Sequence, residues 1–190
     1  GHSGMEIDKE RANANKVFGR FLAYCMEKTG LSIVSANGGE KENAIAKQCD
    51  AVLVVPEENI TAFEDAVSAF ETILKKEHHF TDPDLHIYVE KKEYGEYEAL
   101  DKETAQKLMA LLIHLPNGVQ KRIPEFPDSV QTSLNMGTLE QAEDEISMTF
   151  SVRSSVTSEK EWLMSQMEHL TKAFGGYCGI SGVYPAWEYQ

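Results

Sequence analysis

The sequence predicts an α+β domain: one antiparallel or mixed sheet with helices packed on one face. Three observations predict it. Four amphipathic helical stretches alternate with short strand-like runs, and the order strand, strand, helix, strand occurs twice, offset by roughly 100 residues. No Pro/Gly/Ser-rich linker parts the two halves, so both are expected to join one sheet.

The first helix carries Ala14, Val17, Phe18, Phe21, Leu22 and Cys25 on one face and stops before Gly30. The second opens near Asn59, a suitable N-cap, and presents Phe63, Ala66, Val67, Phe70, Ile73 and Leu74. The third starts at Asp101 and ends before Pro116-Asn117-Gly118. The fourth opens on a capping box, Ser158 followed by Glu161, and runs to the Gly175-Gly176 stop. Strands are expected at Leu31 to Ala36, Ala51 to Val55, Leu85 to Val89, Val130 to Met136, Ile146 to Val152 and Tyr177 to Tyr184. These elements make residues 1–190 one domain, with ferredoxin-like halves at roughly 1–92 and 99–190. The polar stretch Lys91 to Glu98 reads as a loop.

Composition narrows the function. A formal charge of −13 argues against a nucleic-acid surface or an anionic membrane face, both of which require clustered Lys and Arg. No apolar run approaches the length of a membrane span. The three cysteines, Cys25, Cys49 and Cys178, lie in apolar periodic segments without CxxC spacing. They read as buried free thiols of a reducing compartment, hence the cytoplasm.

Motifs for self-contained catalysis are missing. The six histidines show no HExxH or other close ligand spacing, and the neighbours His78 and His79 point apart. His114 and His169 lie late in helices, where a cation is stabilising in its own right. There is no GxSxG, and Asn37-Gly38-Gly39 reads as a turn because no phosphate-loop pattern accompanies it. No bound metal is expected.

Four segments in order resemble one family. They are Gly1-His2-Ser3-Gly4-Met5-Glu6-Ile7 with Ala12-Asn13-Ala14-Asn15-Lys16; Asn37-Gly38-Gly39 with Asn43-Ala44-Ile45; Pro116-Asn117-Gly118-Val119; and Thr132-Ser133-Leu134-Asn135 with Val152-Arg153-Ser154. Tyr184-Pro185-Ala186-Trp187 extends the match. The set is similar to the lid, or dimerisation, domain of bacterial aminoacyl-histidine dipeptidases, zinc exopeptidases related to the aminoacylases and glutamate carboxypeptidases.

The resemblance implies a substrate-capping and dimerisation domain of an enzyme that hydrolyses Xaa-His dipeptides such as carnosine. Its zinc would lie in a catalytic domain absent from this chain, whose partners would be that domain, a second copy and the dipeptide. The chain by itself would be inactive. By the same resemblance His2 would stabilise the reaction's oxyanion, in the partner subunit's site. Asn43, Asn117 and Asn135 would meet substrate, and Arg153 would hold its terminal carboxylate. Simpler lids carry that arginine soon after the asparagine; here Val54-Val55-Pro56 stands there, so Arg153 takes the role through the duplication. The alternative is a stand-alone small-ligand-binding or homodimeric module.

Overall fold

The computed structural model describes residues 1–181. Its architecture is α+β, as predicted: a five-stranded sheet in which every pairing is antiparallel. The chain opens with a single helical turn, α1 (Ser3–Glu6), and a 3-10 turn at Ile7–Lys9. Then follow α2 (Ala14–Thr29), β1 (Ser32–Gly38), β2 (Cys49–Val54) and α3 (Ile60–Glu77). The second half supplies α4 (Lys102–His114), β3 (Gly118–Ile123), β4 (Phe126–Gln141), β5 (Ile146–Ser154) and α5 (Thr157–Ala173).

The helices form because their apolar faces have somewhere to go. Phe18, Phe21, Leu22 and Cys25 of α2 meet Val67, Phe70 and Leu74 of α3 and Leu108 and Leu112 of α4 over Ile33, Met136 and Leu139 of the sheet. A second cluster joins Leu115 and Leu134 to Leu163 and Met167 of α5. Full burial of one such side chain contributes about 1.5–3 kcal/mol.

Strand β4 is the axis of the sheet. It pairs from Thr132 to Gln141 with β5, along its first half with β3, and at Leu139 with Gly38 of β1. That last junction is short, and side chains complete it. Gln141 accepts from the Ala36 N–H and donates to the Val34 carbonyl, while Asn37 Oδ1 accepts from the Gln141 N–H.

A bulge at Gly137 breaks the β4–β5 register between Met136 and Thr138. It lets Met136 and Leu139 both enter the helix-side core. The loop after β1 crosses this point so closely that a Cβ on Gly137 would meet Glu42 Cα at 2.3 Å.

Several expectations are corrected. Leu85 to Val89 forms no strand: Leu85 and Ile87 pack on the core in alternation, but the Ile87 N–H donates to Glu71 Oε2 at 2.7 Å, leaving no strand ladder. Residues 177–181 form no strand either, and the remainder of that segment, with the Tyr184-Pro185-Ala186-Trp187 motif, lies outside the described residues. The two halves share the order helix, strand, strand, helix, yet β3 is interpolated in the second and the strand expected after each helix is missing among the described residues.

Helix starts differ in detail as well. Asn59 stands at the N-cap of α3, but its side chain donates to the Thr29 carbonyl at 3.0 Å, tying α3 to the end of α2. Helix α5 begins before Ser158. Its N-cap is Val156, whose N–H is taken by Ser154 Oγ, so no capping box forms. Asp101 does cap α4.

Candidate functional site

Among the described residues, the segments singled out in the sequence are linked to one another by hydrogen bonds. Gly1 to Ser3 runs antiparallel to Asn43 to Ile45: Ser3 N–H donates to the Asn43 carbonyl at 2.9 Å, Ile45 N–H to the Gly1 carbonyl at 3.0 Å, and His2 faces Ala44. At the start of α1 the His2 backbone N–H donates to Glu6 Oε2 and His2 Nδ1 accepts from the Gly4 N–H at 3.0 Å. With Nδ1 accepting this bond, Nε2 is the ring nitrogen left to donate.

Arg153 approaches from β5. Its guanidinium lies over Gly4, where an added Cβ would sit 2.8 Å from Cζ. The Arg153 side chain makes no ion pair or hydrogen bond among the described residues. The exposed Asn43 amide is equally free. His2, Asn43 and Arg153 therefore share one rim, all three presenting side chains to solvent.

Behind the rim stands a chain of buried amides. Asn13 Oδ1 caps α2 through the Asn15 and Lys16 N–H groups, and its Nδ2 donates to Asn135 Oδ1 and to the Met136 carbonyl. Asn135, with no exposed surface, donates to the carbonyls of Glu42 and Ala44 at 3.1 and 2.8 Å. These residues flank Asn43, so Asn135 fixes the loop that presents it. Asn117 Oδ1 accepts from the Met136 N–H at 2.9 Å. The structure thus gives Asn135 and Asn117 protein partners. Asn13 is a member of the group that sequence reasoning left without a role; its only signal was the repeated Asn of Ala12-Asn13-Ala14-Asn15.

A cavity of about 260 Å³ opens beside the rim, bordered by Ile7, Arg11, Ile45, Asn117 and Asn135. Segments from all four motif groups except the β5 end line it.

The other titratable residues are engaged elsewhere. His86 Nδ1 sits 3.0 Å from Glu71, whose carboxyl is held below the usual range first by the Ile87 N–H. His79 contacts the Lys76 carbonyl, and His78 lies 3.9 Å from Asp82. Among the described residues no group of three or more His, Cys, Asp and Glu could hold a metal ion, so these residues do not fit a zinc centre. The cysteines are all free; Cys25 is buried and Cys49 half-buried, with burial raising its thiol to about 12. Cys178, expected to be buried, is exposed, lying beyond the end of α5. No helix among the described residues is long and apolar enough to cross a membrane.

Comparison with known proteins bears out the resemblance. Residues 1–82 match the family described as a peptidase dimerisation domain. The chain is 30% identical over 188 residues to the cytosol non-specific dipeptidase of Escherichia coli (strain K12), covering 99% of this chain. It is also similar to the crystal structure of aminoacylhistidine dipeptidase from Vibrio alginolyticus, with a TM-score of 0.96 and 28% identity over 100% of this chain. It spans 39% of the length of each of these relatives.

Proposed function

We propose, from a chain whose first 82 residues match a peptidase dimerisation domain, that this is the substrate-capping and dimerisation domain of a dipeptidase acting on Xaa-His substrates. The observation that carries the reading is the rim: His2 and Arg153, from opposite ends of the described chain, meet at Gly4 beside Asn43.

Each rim residue offers one useful interaction. His2 presents Nε2–H, a donor suited to the oxygen of a peptide carbonyl as negative charge builds there. Arg153 presents an unpaired planar guanidinium, which matches the bidentate geometry of a terminal carboxylate. Asn43 offers an amide to the substrate backbone between them. In this reading a zinc centre and its ligands belong to a catalytic domain outside the chain, where the metal would activate the attacking water. The chain contributes orientation and charge stabilisation, and works in the cytoplasm.

Dimerisation is read from the family match and from the sheet. Among the described residues strand β2 pairs with β1 on one side only, leaving a six-residue edge for a second copy.

The test is to express the complete reading frame that contains this chain, load it with zinc and assay carnosine hydrolysis beside the 190-residue chain. The reading requires turnover by the former and none by the latter. Robust hydrolysis by the 190-residue chain would refute it.

A further inference from the structure

A single helical turn is a poor platform for a side chain that must be aimed. It fixes several backbone angles in return for few hydrogen bonds, and the N–H groups at its start have no partner inside the helix. In α1 two backbone N–H groups are taken by side chains of the turn itself. His2 Nδ1 accepts from the Gly4 N–H, and Glu6 reaches back so that its Oε2 accepts from the His2 N–H, each at 3.0 Å. The pattern is that of a capping box, with a histidine at the N-cap and the acid four residues on.

Glu6 is fixed in its turn. Its Oε1 accepts from Lys9 Nζ at 3.4 Å, and Oε2 lies 3.7 Å from the Gly1 nitrogen. The Lys9 hydrogen bond, ahead of the nearby charges of Lys9, Gly1 and Arg11, holds the Glu6 carboxyl below the usual carboxylate range. The carboxylate also fills the space beside Gly1, where an added Cβ would collide with Glu6 Oε2 and Cδ. Glycine at position 1 leaves the room through which Glu6 reaches the His2 N–H.

These contacts converge on one side chain. The Glu6 bond holds the backbone of His2, the Gly4 N–H holds its ring, and the same Gly4 lies under the Arg153 guanidinium. With Nδ1 occupied, Nε2 is the nitrogen that can donate, and the turn decides where it points.

We propose that Glu6 is a positioning residue, which aims the Nε2 donor of His2 at the developing oxyanion without touching substrate itself. The inference rests on His2 acting as the oxyanion donor of a dipeptidase, and it adds what holds that donor in place. Such a donor helps only when it is preorganised at hydrogen-bond distance, so a turn left to fray lowers the rate and not substrate binding.

The test is a double-mutant cycle in the zinc-loaded full-length protein, with carnosine as substrate and urea unfolding as the check that each variant is folded. Glu6→Ala should lower kcat about tenfold with KM nearly unchanged, the effect of losing one hydrogen bond to a charged group. Glu6→Gln, which keeps an acceptor at the same reach, should recover most of that loss. Gly1→Ala, which leaves Glu6 intact but displaces it, should lower kcat in the same way. In a His2→Ala background Glu6→Ala should cost no more than about twofold, whereas a merely structural contribution would cost the same there as in wild type. An unchanged kcat in Glu6→Ala beside a fall in His2→Ala would overturn the positioning role and leave His2 as the donor. An equal loss in both backgrounds, a rise in KM in place of the fall in kcat, no recovery with Gln, or no effect of Gly1→Ala would also overturn it. An unchanged kcat in His2→Ala would refute the donor reading, and the positioning role with it.

Discussion

The guanidinium of Arg153 lies over the Cα of Gly4, so close that a single methyl group there would stand 2.8 Å from Cζ. Strand β5 thereby meets the first turn of the chain, and the rim acquires its cation.

Gly4→Ala should therefore move the arginine without unfolding the domain. The obstructed atoms are the far end of a flexible side chain, so the stability change should stay within about 0.5–1 kcal/mol. In the zinc-loaded full-length protein, KM for carnosine should rise several-fold while the urea midpoint barely moves. An unchanged KM would separate Arg153 from substrate.

Asn135→Ala should be costly for stability. It removes the part-buried donors to the Glu42 and Ala44 carbonyls and the buried acceptor of Asn13 Nδ2. Each orphaned group costs about 1–3 kcal/mol, so urea denaturation should show a loss of about 3 kcal/mol or more. Hydrogen exchange should show the largest loss of protection at Ser3 and Ile45, whose N–H groups bond across this loop.

Gly137→Ala should destabilise for a different reason. Its Cβ would fall 2.3 Å from Glu42 Cα and 2.5 Å from the Glu42 carbonyl oxygen, and backbone cannot step aside as a side chain can. The loss should be several kcal/mol, at the diagnostic end of single substitutions, and read as a fall in urea midpoint.

Much of this fold was legible because it follows from local periodicity. The apolar spacing of α2 and α3, Asp101 at the start of α4, Gly30 at the end of α2 and the alternation of β5 all point to the elements observed. Strand β3 was missed because its register shifts three times against β4 and Lys121 interrupts the apolar alternation of Val119 and Ile123. The strand expected at Leu85 has the right pattern but lacks a neighbour to pair with. Pattern records burial of side chains and says nothing of where a backbone N–H goes; here it goes to Glu71.

The candidate site was approached through its motifs, and the different hydrogen-bonding of its asparagines was not legible. Asn43, Asn117 and Asn135 look alike in sequence, yet only Asn43 leaves its whole amide free, whereas Asn135 is consumed by three protein groups. Nor does sequence reveal that Glu10 pairs with the distant Arg122.

Lys16 provides a pH signature. Its Nζ donates to the Leu112, Ile113 and Leu115 carbonyls at the end of α4, and burial lowers its pKa to about 8 from 10.5. Between these values the unfolded chain holds the proton and the folded chain releases it, so this residue's contribution to stability rises with pH. Comparing urea midpoints of wild type and Lys16→Met from pH 8 to 10.5, the difference should move in favour of wild type. A difference that moves the other way would mean that the three carbonyls, which favour the charged form, outweigh burial.

The central claim, that the rim caps the substrate of a catalytic centre held elsewhere, is tested most directly by kinetics of His2→Ala in the zinc-loaded full-length protein. Loss of one oxyanion donor predicts a fall in kcat of about 10²–10³-fold with little change in KM, while the purified 190-residue chain turns over no carnosine. An unchanged kcat in His2→Ala, or hydrolysis by the 190-residue chain, would contradict it.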